Sequence, residues 1–137
     1  MHQTIVVGTD GSKNAEAAVR YAFDLARMTN ATVHVLAVAP VSGSPMHFSS
    51  AVVTDINEAR IAIADHISDI EGVPLPAIET IVRRGQPHEQ ILDYADEIDA
   101  DIIILGKTGA DGVLEDIVGS TARRVIRNAV CPITIVN

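Results

Sequence analysis

Four glycines and a Gly-Ser-Thr string crowd residues 101–121, DIIILGKTGADGVLEDIVGST: Gly106, Gly109, Gly112 and Gly119, with Ser120 and Thr121 directly after the last. Phosphate handling is the chemistry such a set suits. Glycines let a backbone approach a ligand closely, and the first N–H groups of a helix have no partners inside it, so they turn toward anions. Ile102, Ile103, Ile104 and Leu105 form an aliphatic run before Gly106, and Ala122, Val125, Ile126 and Ala129 follow at helical spacing. A strand, a glycine loop and a helix start are expected in that order.

Several better-known sites are excluded by the same residues. Gly106-Lys107-Thr108 looks like the end of a P-loop, but that loop also needs a glycine five positions before Gly106, where Asp101 stands. The dinucleotide fingerprint G-x-G-x-x-G belongs after the first strand, and Gly8 and Gly11 are spaced differently. Neither the G-x-S-x-G elbow nor the H-x-G-H and S-G-G-x-D-S strings of adenylyl-transferring enzymes occurs. The five histidines, His2, His34, His47, His66 and His88, lack metal-ligand spacing, and His34 and His66 read as structural. No catalytic base is identified. Cys131 is the lone cysteine, so there is no intrachain disulfide or thiolate cluster, and it reads as a small buried hydrophobe.

Composition narrows the partners. Eighteen acidic against ten basic residues give a net charge of −8, which opposes both a nucleic-acid backbone and an anionic membrane surface. No apolar stretch approaches the ~20 residues of a membrane span, and residues 1–9 carry no charged export signal. A cytoplasmic protein with neither nucleic-acid nor membrane partner is expected. With 47% hydrophobic residues but only two Phe, two Tyr and no Trp, small aliphatics must fill the core.

The elements that position the glycines can be read in order. Thr4-Ile5-Val6-Val7 is a β-branched run ended by the turn Gly8-Thr9-Asp10-Gly11-Ser12, with Ser12 as N-cap of a helix over 13–29. Ala15, Ala18, Val19, Ala22, Leu25 and Ala26 form its apolar face. A second strand spans 32–38, and residues 41–50, with Met46 and Phe48, form a loop. A long helix over 52–71 has its stripe at Ile56, Ala59, Ile63, Ile67 and Ile70. A third strand follows at 78–82. Pro87 then opens a helix with Ile91, Leu92, Ala95 and Ile98 inward, ahead of strands at 101–105 and 133–136.

Strands alternating with helices call for a parallel sheet, here a doubly wound α/β domain of five strands and four helices, one domain over 1–137. Ligands bind such sheets beyond the carboxyl ends of the strands, where strand order reverses. If the first and fourth strands are neighbours, one crevice receives both the turn at Gly8 to Ser12 and the loop at Gly106 to Ser120.

The spacing Gly106-x2-Gly109-x9-Gly119-Ser120, with the opening IVVGTDGS, the strand HVLAVAP, the segment VRRGQPHEQIL and the closing GSTARRVIRNAVCPITIV, resembles the universal stress protein family, specifically its ATP-binding branch. The likeness runs the whole length and implies a Rossmann-like, adenine nucleotide alpha hydrolase-like fold binding ATP, or ADP or AMP, between the two loops. Carried over by position, it implies Gly8, Thr9 and Asp10 at the adenosine, Val38 beside the adenine, and Leu105 and Gly106 along the ribose and first phosphate. Gly109, Gly119, Ser120 and Thr121 would hold the phosphates. Asp111, Glu115 and Asp116 put negative charge in the spacer, which opposes a triphosphate unless Mg²⁺ or Mn²⁺ bridges them; the alternative is a solvated acidic face.

Three functions follow from this reading. The first is an ATP-binding, stress-response regulatory module read by a protein partner; the second, a slow ATPase or phosphate-transferring enzyme; the third, a nucleotide-free dimeric adaptor. The terminal strand 133–136 is short, apolar and free of lysine, so an edge position and a homodimer through it are expected.

Overall fold

The computed structural model describes residues 3–39, 56–68, 77–108 and 118–137. Among these, strands and helices alternate as β1 (Thr4–Thr9), α1 (Lys13–Thr29), β2 (Thr32–Ala39), α2 (Ile56–Ser68), β3 (Ala77–Arg84), α3 (Pro87–Glu97), β4 (Ile102–Gly106), α4 (Ser120–Asn128) and β5 (Ile133–Val136). The sheet order is β3-β2-β1-β4-β5, and every pairing is parallel. Strand order therefore reverses at β1.

Both faces of the central strands are covered, which is why they are aliphatic without alternation. Ile5, Val7, Val33 and Val35 pack with Ala18, Val19, Ala22 and Phe23 of α1 and Ile63 of α2. Val6, Leu36, Ile103 and Leu105 pack on the other side with Ile91, Tyr94 and Ala95 of α3 and Ala122 and Val125 of α4. The alanines let α1 lie close to the sheet.

Helix ends follow from local chemistry. The Ser12 hydroxyl accepts the Ala15 N–H at 3.2 Å, and Asn30 ends α1 in the left-handed region at φ 59°. Pro87 opens α3. At the amino edge of the sheet, the Asp101 N–H donates to the Thr4 carbonyl at 2.9 Å and the Thr4 N–H donates to Asp101 Oδ2 at 2.7 Å. Asp101 thus caps the β1–β4 ladder, and β4 begins one residue later than the sequence reading placed it.

Other differences are of length. Gly8 and Thr9, read as turn, remain in the ladder opposite Leu36 and Ala37, because a parallel neighbour pairs the backbone whatever the side chain. The β2–β3 ladder likewise carries β3 on to Arg84, which pairs with Ala39. The loop at 41–50 with Met46 and Phe48, and the outer turns of the helix read at 52–71, lie outside the described residues.

Candidate functional site

Ile5, Val6 and Val7 pair with Ile102, Ile103 and Ile104. The adjacency that the sequence left conditional is therefore present, and β1 and β4 end at the same edge of the sheet. One continues through residues 10–12 into α1, the other through 107–119 into α4. This is the switch point of the fold.

On the β1 side, Gly8 is buried where an added Cβ would stand 2.9 Å from Leu105 Cδ2 and 3.3 Å from Ile91 Cδ1. Thr9 is buried too, and its hydroxyl accepts the Gly11 N–H at 3.1 Å. Asp10 Oδ1 accepts the Ser12 N–H at 2.9 Å. Gly11 takes φ 85°, open to glycine at no steric cost. Two side chains thus wind the turn that starts α1. Val38 is half-buried on β2, one position past the Thr9–Ala37 pair, against the α3 and α4 layer.

On the β4 side, Leu105 is buried and Gly106 passes directly against α1: an added Cβ would lie 2.8 Å from the Asn14 carbonyl oxygen and 2.9 Å from its carbon. The Lys107 N–H donates to the Val136 carbonyl at 2.8 Å, and the Lys107 carbonyl accepts the Gly119 N–H at 2.7 Å. Gly119 is the N-cap of α4 at φ −61°, ψ 161°, with no side-chain cap. Its amide is committed to Lys107, so the first-turn N–H groups offered outward begin at Ser120 and Thr121. Ser120 is exposed and Thr121 half-buried. Gly109, with Asp111, Glu115 and Asp116, lies outside the described residues.

Gly8, Leu105, Gly106 and Gly119 thus join in one chain of contacts through Asn14 and Lys107, with Thr9 and Asp10 on the adjoining turn. Val38 stands one strand away. Asn14 was not singled out from the sequence; its Nδ2 donates to Thr108 Oγ1, joining α1 to the loop after β4. Its only sequence signal is a place in the first turn of the helix that follows Gly8 to Ser12.

Elsewhere, a groove of about 590 Å³ between α2 and β3, lined by Arg60, Ile63, Ala64, Ile67, Thr80 and Val82, lies away from the switch point. Among the described residues no three His, Cys, Asp or Glu side chains gather to hold a metal ion, and no helix is long and apolar enough to cross a membrane. His34 has the structural role read for it, with Nδ1 2.7 Å from Tyr94 Oη. Cys131 is half-buried and packs against the Val6, Ile103 and Val125 cluster, and burial pushes its thiol pKa up. The His66 side chain is outside those described.

The universal stress protein family model matches residues 1–137. A universal stress protein of Methanocaldococcus jannaschii is 32% identical over 143 residues, which span 99% of this chain and 82% of that protein. Among solved structures, the universal stress protein from Archaeoglobus fulgidus in complex with dAMP superposes with a TM-score of 0.70 at 31% identity, over 98% of each chain. A universal stress protein in complex with cAMP gives a TM-score of 0.70 at 27% identity, over 98% of this chain and 96% of the other.

Proposed function

The chain belongs to the universal stress protein family, and from that premise we propose that it is one adenine-nucleotide-binding domain, taking ATP, ADP or AMP at the β1–β4 switch point. The observation that carries this reading is the parallel pairing of β1 with β4, which delivers two loops and two helix starts to one edge. The relatives solved with dAMP and cAMP support the adenine class.

Gly8, Thr9 and Asp10 meet the adenosine, Val38 flanks the base, and Leu105 and Gly106 follow the ribose and first phosphate. Gly109, Ser120 and Thr121 hold the phosphates, with Gly119 giving them room. The residues present fit such a ligand: α4 starts on a glycine, so neither a side-chain cap nor a carboxylate occupies the anion position. Mg²⁺ or Mn²⁺ would be held by the phosphates and the spacer carboxylates Asp111, Glu115 and Asp116, and would offset their mutual charge.

Bound nucleotide stabilises one conformation or assembly, which a cytoplasmic protein partner reads in a stress response. Mass analysis of nucleotide extracted from the purified protein tests the ligand class. An adenine nucleotide at near-stoichiometric yield supports it, and a different nucleotide would contradict it.

The assembly is a homodimer along 133–136. β5 is an edge strand. The Ile103 and Lys107 N–H groups reach the Pro132 and Val136 carbonyls, so by ladder alternation the Ile133 and Ile135 backbone groups point away from β4. Ile126 and Val130, 48% and 94% exposed, precede this edge in the chain. A second copy pairing there satisfies the edge.

A further inference from the structure

We propose that Asn14 is a positioning residue for the nucleotide: it locks the end of β4 to the start of α1 and thereby presets the gap that the ligand spans, without touching the ligand. This rests on the adenine-nucleotide reading of the switch point. Two contacts made by this one residue carry it. Its backbone carbonyl oxygen lies where only a glycine at 106 leaves room, 2.8 Å from the position of an added Cβ. Its side-chain Nδ2 donates to the hydroxyl of Thr108, two residues further on.

The peptide between these contacts is tied from other directions. The Lys107 N–H goes to Val136 of β5, and its carbonyl receives the Gly119 N–H at the start of α4. Residues 106–108 are therefore held by α1, β5 and α4 together. Asn14 supplies the α1 arm, which links the turn carrying Asp10 to the strand end that sets α4. A ligand reaching from Asp10 to Ser120 binds best when that separation is fixed beforehand, because ordering it on binding subtracts from affinity.

A role for Asn14 within its own helix does not account for the contact. Ser12 already caps α1 by accepting the Ala15 N–H. The amide of Asn14 is turned instead across the switch point, to a residue 94 positions away in the chain.

ATP titration of the full chain tests this, with Asn14→Ala, Thr108→Val, Thr108→Ser and the Asn14→Ala/Thr108→Val double variant beside wild type. Asn14→Ala and Thr108→Val are each expected to weaken ATP binding about fivefold, as loss of one hydrogen bond does. The double variant should be no weaker than either single, since both remove the same bond. Thr108→Ser keeps the hydroxyl and should keep wild-type affinity and thermal midpoint, while Asn14→Ala and Thr108→Val should each lower the unliganded midpoint by about 2–6 °C and by the same amount as the double variant. Wild-type affinity in both single variants, or losses that simply add in the double, overturns the proposal alone. A wild-type chain that gives no ATP signal overturns the site reading and this proposal with it.

Discussion

Val7 pairs with Ile104 across the parallel β1–β4 ladder, and no pair lies closer to the candidate site in that ladder. From it the two strands run on to Gly8 and Leu105, where a Cβ at position 8 would press on the end of the Leu105 side chain, and then diverge into the loops that start α1 and α4. Two segments distant in the chain thus end side by side at one edge of the sheet.

The two strand-end glycines should differ in their response to alanine. At Gly106 the new methyl meets the backbone of Asn14, which belongs to a packed helix and cannot rotate away. At Gly8 it meets the ends of the Leu105 and Ile91 side chains, which can. Gly106→Ala is expected to cost about 1–3 kcal/mol and Gly8→Ala less, by urea unfolding with unchanged slope. Equal losses would contradict the close approach of β4 to α1.

Stability should fall on mild acidification through His34. Burial holds its imidazole below the ordinary pKa of 6.5, with Glu79 across the ladder pulling the other way. The unfolded chain therefore binds the proton more tightly, so this contribution is complete above pH 6.5 and is lost as pH drops toward the folded value. Urea midpoints at about pH 7.5 and about pH 5.5 should diverge less in His34→Gln than in wild type. Tyr94→Phe, which removes the hydroxyl facing His34 Nδ1, should cost about 0.5–1.5 kcal/mol at neutral pH.

How much of this was legible in the sequence can be judged residue by residue. Ser12 and Pro87 announced helix starts because capping and ring geometry act locally. The aliphatic runs announced strands, since a strand covered on both faces has nowhere to be polar. Phe23, fully buried in α1, and Tyr94, buried in α3, were not placed in their helix stripes. Tyr94 is inside because its hydroxyl reaches His34 and its ring lies 4.9 Å beneath the Arg83 guanidinium, partners on other elements that periodicity does not encode. Gly106 was read for its ligand side only, while its closest neighbour is Asn14. Contacts between distant segments depend on strand order, which no local pattern carries.

The proposed homodimer has a test that spares the fold. Val130 is 94% exposed, so Val130→Asp should change the stability of one chain by no more than ~0.5 kcal/mol. Beside an edge strand paired to its twin, however, it would bury a charge and shift the assembly to monomer, read by light scattering at micromolar concentration. A wild-type protein already monomeric under those conditions contradicts pairing through 133–136.

The nucleotide site itself is tested most directly at Gly119, whose backbone at φ −61° accepts any side chain. Gly119→Asp supplies α4 with a capping carboxylate, which should leave the unliganded thermal midpoint equal or slightly higher. The same carboxylate occupies and repels the position assigned to the phosphates. ATP at a hundredfold excess over Kd stabilises a folded receptor by about 2.7 kcal/mol, a rise of several degrees. Wild type should show that rise, and Gly119→Asp should lose it. An equal rise in both proteins would contradict the assigned site.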